Sequence, residues 1–421
     1  MEFPQASPGH SAAAPVPAQR AGSIDAYRGW VMLLMAGEVL GLHAVARNLP
    51  DSGLWAFLAR QQDHVDWRGC TLHDLIQPSF SFLVGCALPW SIANRRARGQ
   101  GMSGMWLHTL WRAFALVALG VFLRSMGSSL TRFTLEDTLS QIGLGYVFLW
   151  FLAWRGVRFQ VGALVAILVG YWALFALHPL PPAGFDPTTV GVEKDWKEWL
   201  GGFAAHWNKN ANPAQDFDVW FLNLFPRTKP WTYNGGGYVT LSFIPTLGTM
   251  VLGLLAGQWL RRGDVTPTRR FWTLVGMGLA GLLAGTVLDR TGLCPSVKRI
   301  WTPSWVLFSG GWCAIFLALF HALVDVHGWR RAFFPFVVVG MNSIFMYVIA
   351  HLWDGFFKAN TTNHLNTLVM AVHGPRALDG GRTFWTLLAG PYAPFVQGAT
   401  VLFLLWLCCY WLWKRKVFIR I

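Results

Sequence analysis

Ten apolar runs, each close to the length of a membrane crossing, constrain this chain of 421 residues more than any other feature. A helix that crosses the hydrocarbon core of a bilayer needs about 20 mostly apolar residues. The runs lie at residues 27–45, 75–93, 105–123, 139–154, 161–177, 241–260, 271–288, 305–323, 333–353 and 395–413. A shorter stretch at 365–373 predicts a re-entrant or interfacial segment. The sequence therefore predicts an all-α, polytopic membrane bundle with about ten transmembrane helices.

The low content of charged residues excludes an ordinary soluble protein. Soluble domains carry roughly 25% charged residues, whereas this chain has 13%, together with 25 Trp and 31 Phe. Such aromatic residues are typical of the belts at membrane interfaces. The net charge of +14 would indicate a nucleic-acid partner in a soluble protein, but here Lys and Arg cluster between the apolar runs. We therefore predict that the chain is embedded in a lipid bilayer and does not bind nucleic acid.

The distribution of basic residues predicts the orientation of the bundle, because cytoplasmic loops carry an excess of Lys and Arg. With a cytoplasmic N-terminus, five basic clusters fall on the cytoplasmic side. They are Arg95, Arg96 and Arg98; 155–158; Arg261, Arg262, Arg269 and Arg270; Arg330 and Arg331; and 414–416 with Arg420. Lys298 and Arg299 are an exception on the outer side. Both termini are therefore predicted to be cytoplasmic.

The chain outside the runs predicts a simple domain organisation. Residues 1–22 are rich in Ala, Pro, Ser and Gln and lack the pattern of a signal peptide, which predicts a disordered cytoplasmic tail. Residues 23–421 are predicted to form a single transmembrane domain. Its longest outer loop, at about 178–240, is rich in Trp, Asn and Asp. This periplasmic loop either contacts a sugar or forms a structured cap without a ligand role.

Ionisable residues within the apolar runs are costly and indicate function by default. Glu38 lies in the first run and Arg112 in the third. They are functional candidates, or they form a structural ion pair with each other. Asp74 precedes the second run, where its carboxylate either complements the helix dipole or points into a cavity.

His64 is the strongest candidate for a catalytic group. It lies just before the second run and is flanked by Asp63 and Asp66. A neighbouring carboxylate can fix the histidine tautomer and raise its basicity, which suits a general base or a nucleophile. Taken alone, a loop histidine is more often an ordinary surface residue.

The cysteines predict neither a disulfide framework nor a metal site. Cys70 and Cys294 lie in predicted outer loops, and a disulfide between them stays open. No CxxC or Cys/His metal spacing occurs, so we predict no metal ion.

Three segments, in order along the chain, resemble one family. They are Ser23-Ile-Asp-Ala-Tyr-Arg-Gly29, the segment at 64–78 with its pattern His64, Trp67, Gly69, Thr71, Asp74 and Leu75, and Gly340-Met-Asn-Ser-Ile-Phe-Met-Tyr-Val348. Together they resemble the membrane acetyltransferase family of lysosomal heparan-α-glucosaminide N-acetyltransferase. The likeness runs from about residue 22 to the C-terminus, and the long loop at 178–240 differs from the lysosomal sequence.

The resemblance implies transmembrane acetylation. Acetyl-CoA would be delivered from the cytoplasm, and the amine of a glucosamine-type sugar or glycan would be acetylated on the periplasmic side. The resemblance implies that His64 is the active-site residue, either as a carrier of acetyl or as the base. Asp74, Asp63 or Asp66 would orient it, and Glu38 would help to place the histidine or the acceptor.

For the donor, we expect contacts with Arg28, Arg112, Asn342 and Ser343. Asn342 and Ser343 would polarise the thioester carbonyl or, alternatively, form hydrogen bonds between helices. Five arginines are available for a basic mouth on the cytoplasmic side, or serve as orientation signals only: Arg95, Arg96, Arg98, Arg261 and Arg262.

Several alternatives stay open on the sequence. An O-acyltransferase of a surface glycan would use the same donor, and a small-solute transporter would use Glu38 and Arg112 in its pathway. The resemblance also implies a homodimer, and the topology without a signal peptide suits a bacterial inner membrane.

Overall fold

The computed structural model describes residues 21–419. Within that range the chain is helical, with no β-strand and one isolated bridge between Arg68 and Val297. The prediction of an all-α fold is therefore confirmed. Residues 1–20 of the predicted tail lie outside the described residues. The first helix begins at Gly22, within the range predicted as tail. Arg420 of the last basic cluster also lies outside the described residues.

Fifteen α-helices, numbered in chain order, make up most of the described range. They are α1 (Gly22–Ala36), α2 (Leu42–Asn48), α3 (Gly53–Gln61), α4 (Ile76–Ala97), α5 (Met102–Ser125), α6 (Thr138–Ala153), α7 (Val157–Ala176), α8 (Pro213–Leu222), α9 (Phe243–Arg261), α10 (Pro267–Arg290), α11 (Pro303–Phe320), α12 (Phe334–Met341), α13 (Ser343–His373), α14 (Phe384–Ala389) and α15 (Ala393–Lys414).

Among the described residues, seven helical segments are long and apolar enough to cross a membrane, and two bent pairs raise the number to nine. The bent pairs are Gly22–Leu40 with Leu42–Asn48, and Phe334–Met341 with Ser343–His373. Helix α6 is apolar but has only 16 residues. Each of the ten predicted runs falls on one of these elements, as expected for an integral membrane protein. The total of ten crossings and the cytoplasmic termini stay predictions.

The bend between α12 and α13 differs from the prediction. The two helices meet at 85°, because Asn342 has the non-helical angles φ −124° and ψ 38°. Helix α13 then continues for 31 residues, so the stretch at 365–373 is its last part and not a separate segment. Polar residues such as Asn360 and Asn363 interrupt the apolar pattern there, but the backbone stays helical.

Glycines bring the central helices into backbone contact. A Cβ atom added to Gly29, Gly340, Gly85 or Gly253 would lie 1.7 to 1.9 Å from a carbonyl oxygen of the facing helix. The first two glycines join α1 to α12, and the other two join α4 to α9. Small residues allow this close approach, which is how membrane helices associate without a hydrophobic driving force between them.

Residues 178–240, which we call the cap, are structured and cover one end of the bundle. The cap contains α8 and contributes to a second hydrophobic cluster, separate from the main core. In this cluster Trp67 is fully buried, and its Nε1 donates to the carbonyl oxygen of Trp207 at 3.0 Å. Val297 and Ile300 belong to the same cluster. The cap therefore packs on the loop that carries His64 and on the loop between α10 and α11.

Candidate active site

His64 lies at the cap end of the bundle, in the loop between α3 and α4. Side chains from several elements bind the backbone of this loop. Thr71 Oγ1 donates to the carbonyl of Asp63 at 2.5 Å, and Arg299 donates to the carbonyl of Val65 at 3.1 Å. Together with the buried Trp67, these contacts hold the imidazole in a defined position while its side chain stays 39% exposed.

Asp74 is the carboxylate that orients His64. It lies in the 3₁₀ turn His73–Leu75 at the start of α4 and is fully buried. Its Oδ1 lies 2.8 Å from Nδ1 of His64. Its Oδ2 accepts from the backbone N–H groups of Val65 (3.3 Å) and Thr71 (3.0 Å), and it lies 3.1 Å from Thr71 Oγ1. A carboxylate with this many donors stays ionised and points His64 Nε2 away from itself.

Lys298 completes a triangle with these two residues. Its Nζ lies 2.9 Å from Nδ1 of His64 and 3.1 Å from Oδ1 of Asp74. Its side chain is 5% exposed, and it reaches the site from the loop between α10 and α11. Sequence reasoning missed this residue. The one signal was that Lys298 and Arg299 break the charge pattern of the outer loops.

The surroundings favour a neutral imidazole. Burial lowers the pKa of His64, the hydrogen bond with Asp74 raises it, and the charge of Lys298 lowers it again, with a net decrease. Burial likewise lowers the pKa of Lys298, against the attraction of Asp74. A neutral imidazole bound through Nδ1 leaves Nε2 as the nitrogen available to a substrate.

A second imidazole–carboxylate pair lies beside His64. Nε2 of His73 is 3.0 Å from Oε1 of Glu38, and the rings of His64 and His73 have centroids 4.6 Å apart. The carboxylate of Asp63 turns elsewhere and lies 3.0 Å from Nε2 of His43. Of the three carboxylates predicted to orient His64, Asp74 is the one that forms a hydrogen bond with its imidazole.

A cavity of about 470 Å³, the cap-side cavity, opens beside His64. Its lining combines three imidazoles, including those of His64 and His73, and the side chains of Arg124 and Lys298 with three carboxylates. The carboxylates belong to Glu38, Glu136 and Asp137. This lining is polar enough to hold a hydrophilic acceptor next to a base.

A second cavity, of about 400 Å³, lies toward the opposite end of the bundle, and we call it the basic cavity. Its lining includes four arginines, namely Arg28, Arg95, Arg98 and Arg112. The Nη1 of Arg112 donates to Tyr146 at 3.1 Å, while its buried Nε has no hydrogen-bond partner among residues 21–419. Arginine side chains in a cavity are suited to phosphate groups.

The two cavities meet between α4, α6 and α13. Phe80, Thr138 and Tyr347 line both of them. The two cavities are therefore adjacent inside the bundle, one lined by the four arginines and the other by His64.

Comparison with known proteins shows a distant similarity in sequence to acetyltransferases. The chain is 23% identical to heparan-alpha-glucosaminide N-acetyltransferase of Homo sapiens over 377 residues, which cover 80% of this chain and 54% of the relative. It is 24% identical to the enzyme of the same name from Mus musculus over 379 residues, or 81% of this chain and 54% of that enzyme. The chain is distantly related to these acetyltransferases. It spans about half the length of the curated relatives that it matches, and no family model matches it.

The three segments that resemble the acetyltransferases come together in space. Gly29 of the first segment contacts α12 beside Gly340 of the third. Tyr27 of the first segment forms a hydrogen bond of 2.8 Å with Ser79, just after the second. The three segments therefore lie next to one another in the fold.

Several residues predicted to contact the donor line the basic cavity, and one does not. Arg28, Arg112 and Ser343 belong to its lining. Asn342 is fully buried outside it, where its amide donates to the carbonyl of Val417 (3.1 Å) and accepts from the N–H of Ile419 (2.9 Å). These are structural hydrogen bonds, which resemble the alternative role considered for Asn342 more than a contact with the donor.

The alternative ion pair between Glu38 and Arg112 does not form, because Glu38 pairs with His73 and Arg112 with Tyr146. Of the five arginines considered for the mouth, Arg95 and Arg98 line the basic cavity. Arg96 instead lies over the ring of Trp154.

Cys70 and Cys294 are both free thiols. Burial raises the pKa of Cys70, and it raises that of Cys294 to about 11. Both thiols therefore stay protonated and unreactive at neutral pH. Within residues 21–419, no group of three or more His, Cys, Asp or Glu side chains is placed to hold a metal ion.

Proposed function

We propose that the chain is a transmembrane acetyltransferase that moves acetyl from acetyl-CoA to the amine of a glucosamine-type sugar. One observation carries the proposal: the basic cavity and the cap-side cavity, with His64, meet at Phe80, Thr138 and Tyr347. In the predicted orientation, the donor binds from the cytoplasm and the acceptor on the periplasmic side of a bacterial inner membrane.

The basic cavity suits the donor. The nucleotide end of CoA carries several negative charges, which Arg28, Arg95, Arg98 and Arg112 would bind at the cavity lining. The unpartnered Nε of Arg112 is a buried donor that such an anion would satisfy. The pantetheine arm would extend past Phe80 and Tyr347, and the thioester would lie near Thr138, where the two cavities share lining residues.

His64 would carry the chemistry through Nε2. As a general base, it takes a proton from the acceptor amine while the nitrogen forms a bond to the acetyl carbon. The carbon–sulfur bond breaks, and the thiolate leaves with that proton. As a nucleophile, Nε2 would first accept the acetyl group and then pass it to the amine. Asp74 orients the ring for either route, and Glu38 positions its neighbour His73.

Removal of His64 tests the proposal. His64→Ala is expected to lower acetyl transfer to glucosamine by about 10²- to 10⁴-fold, the usual contribution of a general acid–base group. His178→Ala is the matched control, because His178 pairs with Asp216 in the cap and does not line either cavity. Binding of acetyl-CoA, measured by equilibrium titration, should be the same in both variants. Transfer by His64→Ala within a few-fold of wild type would remove His64 from the mechanism.

The acceptor class needs its own assay. Glucosamine and glucose differ in one group, so parallel assays with labelled acetyl-CoA separate N-acetylation from O-acetylation. We expect transfer to glucosamine only. Equal or preferred transfer to glucose would assign the chain to O-acylation.

A further inference from the structure

We propose that Asp137, with Glu136 beside it, binds the protonated amino group of the acceptor in the cap-side cavity. This inference rests on the proposed function, because it assigns the residues that recognise the acceptor of that reaction. It applies to an amine-bearing ligand whatever the rest of the molecule is.

Asp137 has one carboxylate oxygen in use and one without a partner. Its Oδ1 caps the N-terminus of α6, accepting from the N–H groups of Leu139 and Ser140 at 3.0 Å each. Its Oδ2 is buried and has no hydrogen-bond partner among residues 21–419, and the residue is 8% exposed. A buried acceptor without a partner is costly. A ligand that donates to Oδ2 would remove this cost.

The facing helix α5 makes room for the carboxylate. A Cβ atom added to Gly120 would lie 2.5 Å from Oδ1 and 2.7 Å from Oδ2 of Asp137. Gly120 and Asp137 both line the cap-side cavity. A Ser, Thr or Asn side chain can cap a helix without bringing a charge into the bundle. The charge of Asp137 is therefore not needed for the cap.

The other carboxylates that face or adjoin this cavity have closer partners. Glu38 lies 3.0 Å from His73, and Asp74 lies 3.1 Å from Lys298. Arg124 is 3.8 Å from Glu136, but its side chain is half exposed at 51%, so solvent weakens this pair. Burial also raises the pKa of Glu136. Asp137 is therefore the carboxylate of this pair that offers a buried oxygen without a partner to a ligand.

Position and chemistry favour an ammonium group as the ligand. Thr138, next to Asp137, lines both cavities, so an amine bound here would lie beside the thioester. The ammonium must lose one proton to the solvent before its nitrogen can attack. Nε2 of His64, in the same cavity, then takes a second proton as the bond to the acetyl carbon forms, and this proton leaves with the thiolate. The described residues offer no grouping of three or more ligands for a metal ion.

The test measures binding without transfer. Saturation-transfer NMR on the full chain in nanodiscs compares glucosamine with glucose, its uncharged counterpart, in the absence of acetyl-CoA. The wild type should bind glucosamine about ten- to a hundred-fold more tightly than glucose, as expected for a charge-assisted hydrogen bond. Asp137→Asn keeps the helix cap and should reduce this preference to near unity. If Asp137→Asn does not fold, Asp137→Ser also retains a capping oxygen.

Two further measurements separate the outcomes. Asp216→Asn, which changes an exposed cap carboxylate outside both cavities, should leave the preference unchanged. Acetyl-CoA affinity should be unaltered in Asp137→Asn. An unchanged glucosamine preference in that variant, or a loss of acetyl-CoA affinity instead, would overturn the inference. A wild type that selects glucosamine but does not bind acetyl-CoA would contradict the proposed function and leave this site standing.

Discussion

The Nδ1 atom of His64 lies between two buried groups of opposite charge, Asp74 and Lys298. Whether Nδ1 carries the ring proton decides whether Nε2 has a free lone pair. When Nδ1 donates to Asp74, Nε2 keeps a lone pair and can accept a proton or attack a carbonyl carbon. When Nδ1 accepts from Lys298, the ring proton is on Nε2. Because both contacts are short, at 2.8 and 2.9 Å, we infer that Lys298 acts as a positioning residue for His64.

The charge of Lys298 should be visible in the pH profile. It contributes to the lowered pKa of His64, and in the proposed mechanism the neutral imidazole is the active form. The rate of transfer is therefore expected to rise with pH through an inflection below the usual range of histidine. In Lys298→Met the inflection should move to higher pH, because Asp74 then acts on the ring unopposed. The measurement is kcat/KM for acetyl transfer against pH.

Lys197→Met, a change at an exposed lysine of the cap, is the control and should leave the profile in place. An unmoved inflection in Lys298→Met would show that Lys298 serves packing alone.

At this scale, the sequence predicted residues that lie near one another in the chain. His64 and Asp74 are ten residues apart and fell within one polar segment. Lys298 is 234 residues from His64, and only the packing of the loop between α10 and α11 under the cap brings it close. The free oxygen of Asp137 was not predictable either, because it depends on the glycine of the facing helix.

Among the helices, the contact between α1 and α12 brings together the first and third of the segments that resemble the acetyltransferase family. It depends on Gly29 and Gly340, where each helix approaches the backbone of the other. Arg28 and Ser343, which line the basic cavity, are carried by or next to these helices. Separation of α1 from α12 would therefore disturb the lining of the basic cavity as well as the fold.

Gly29→Ala is expected to destabilise the protein strongly. Its Cβ would meet the carbonyl oxygen of Phe336 at 1.7 Å, and overpacking usually costs about 1–3 kcal/mol or more. Gly170→Ala in α7 is the matched control, because nothing lies within 4 Å of its Cβ position. Thermal unfolding in detergent should show a lower midpoint for Gly29→Ala only. Equal midpoints would contradict the close contact.

The positions of the helices were largely predictable because each apolar run is long enough to be read from composition alone. The breaks within them were not. At Asn342 the chain turns by 85° inside an apolar run, with no proline at that position. The amide of Asn342 instead binds the C-terminal segment at Val417 and Ile419, and a tertiary contact of this kind leaves no local pattern.

For the whole molecule, the central feature is that the basic cavity and the cap-side cavity, toward opposite ends of the bundle, share three lining residues. The charge pattern of the loops predicts the end that attracts an anionic donor, and the polar segment around His64 predicts the place of the reaction. Both stay predictions. The junction at Phe80, Thr138 and Tyr347 could not be predicted, because these residues come from three separate helices.

Vectorial transfer in vesicles tests this account most directly. The chain would be reconstituted in one orientation, with labelled acetyl-CoA on the side of Arg95 and Arg98 and glucosamine enclosed on the side of the cap. We predict that labelled N-acetylglucosamine forms in the cap-side compartment, and that His64→Ala vesicles, which still bind acetyl-CoA, form none above background. Product that forms only when glucosamine is on the same side as acetyl-CoA, or transfer that survives in His64→Ala, would contradict the account.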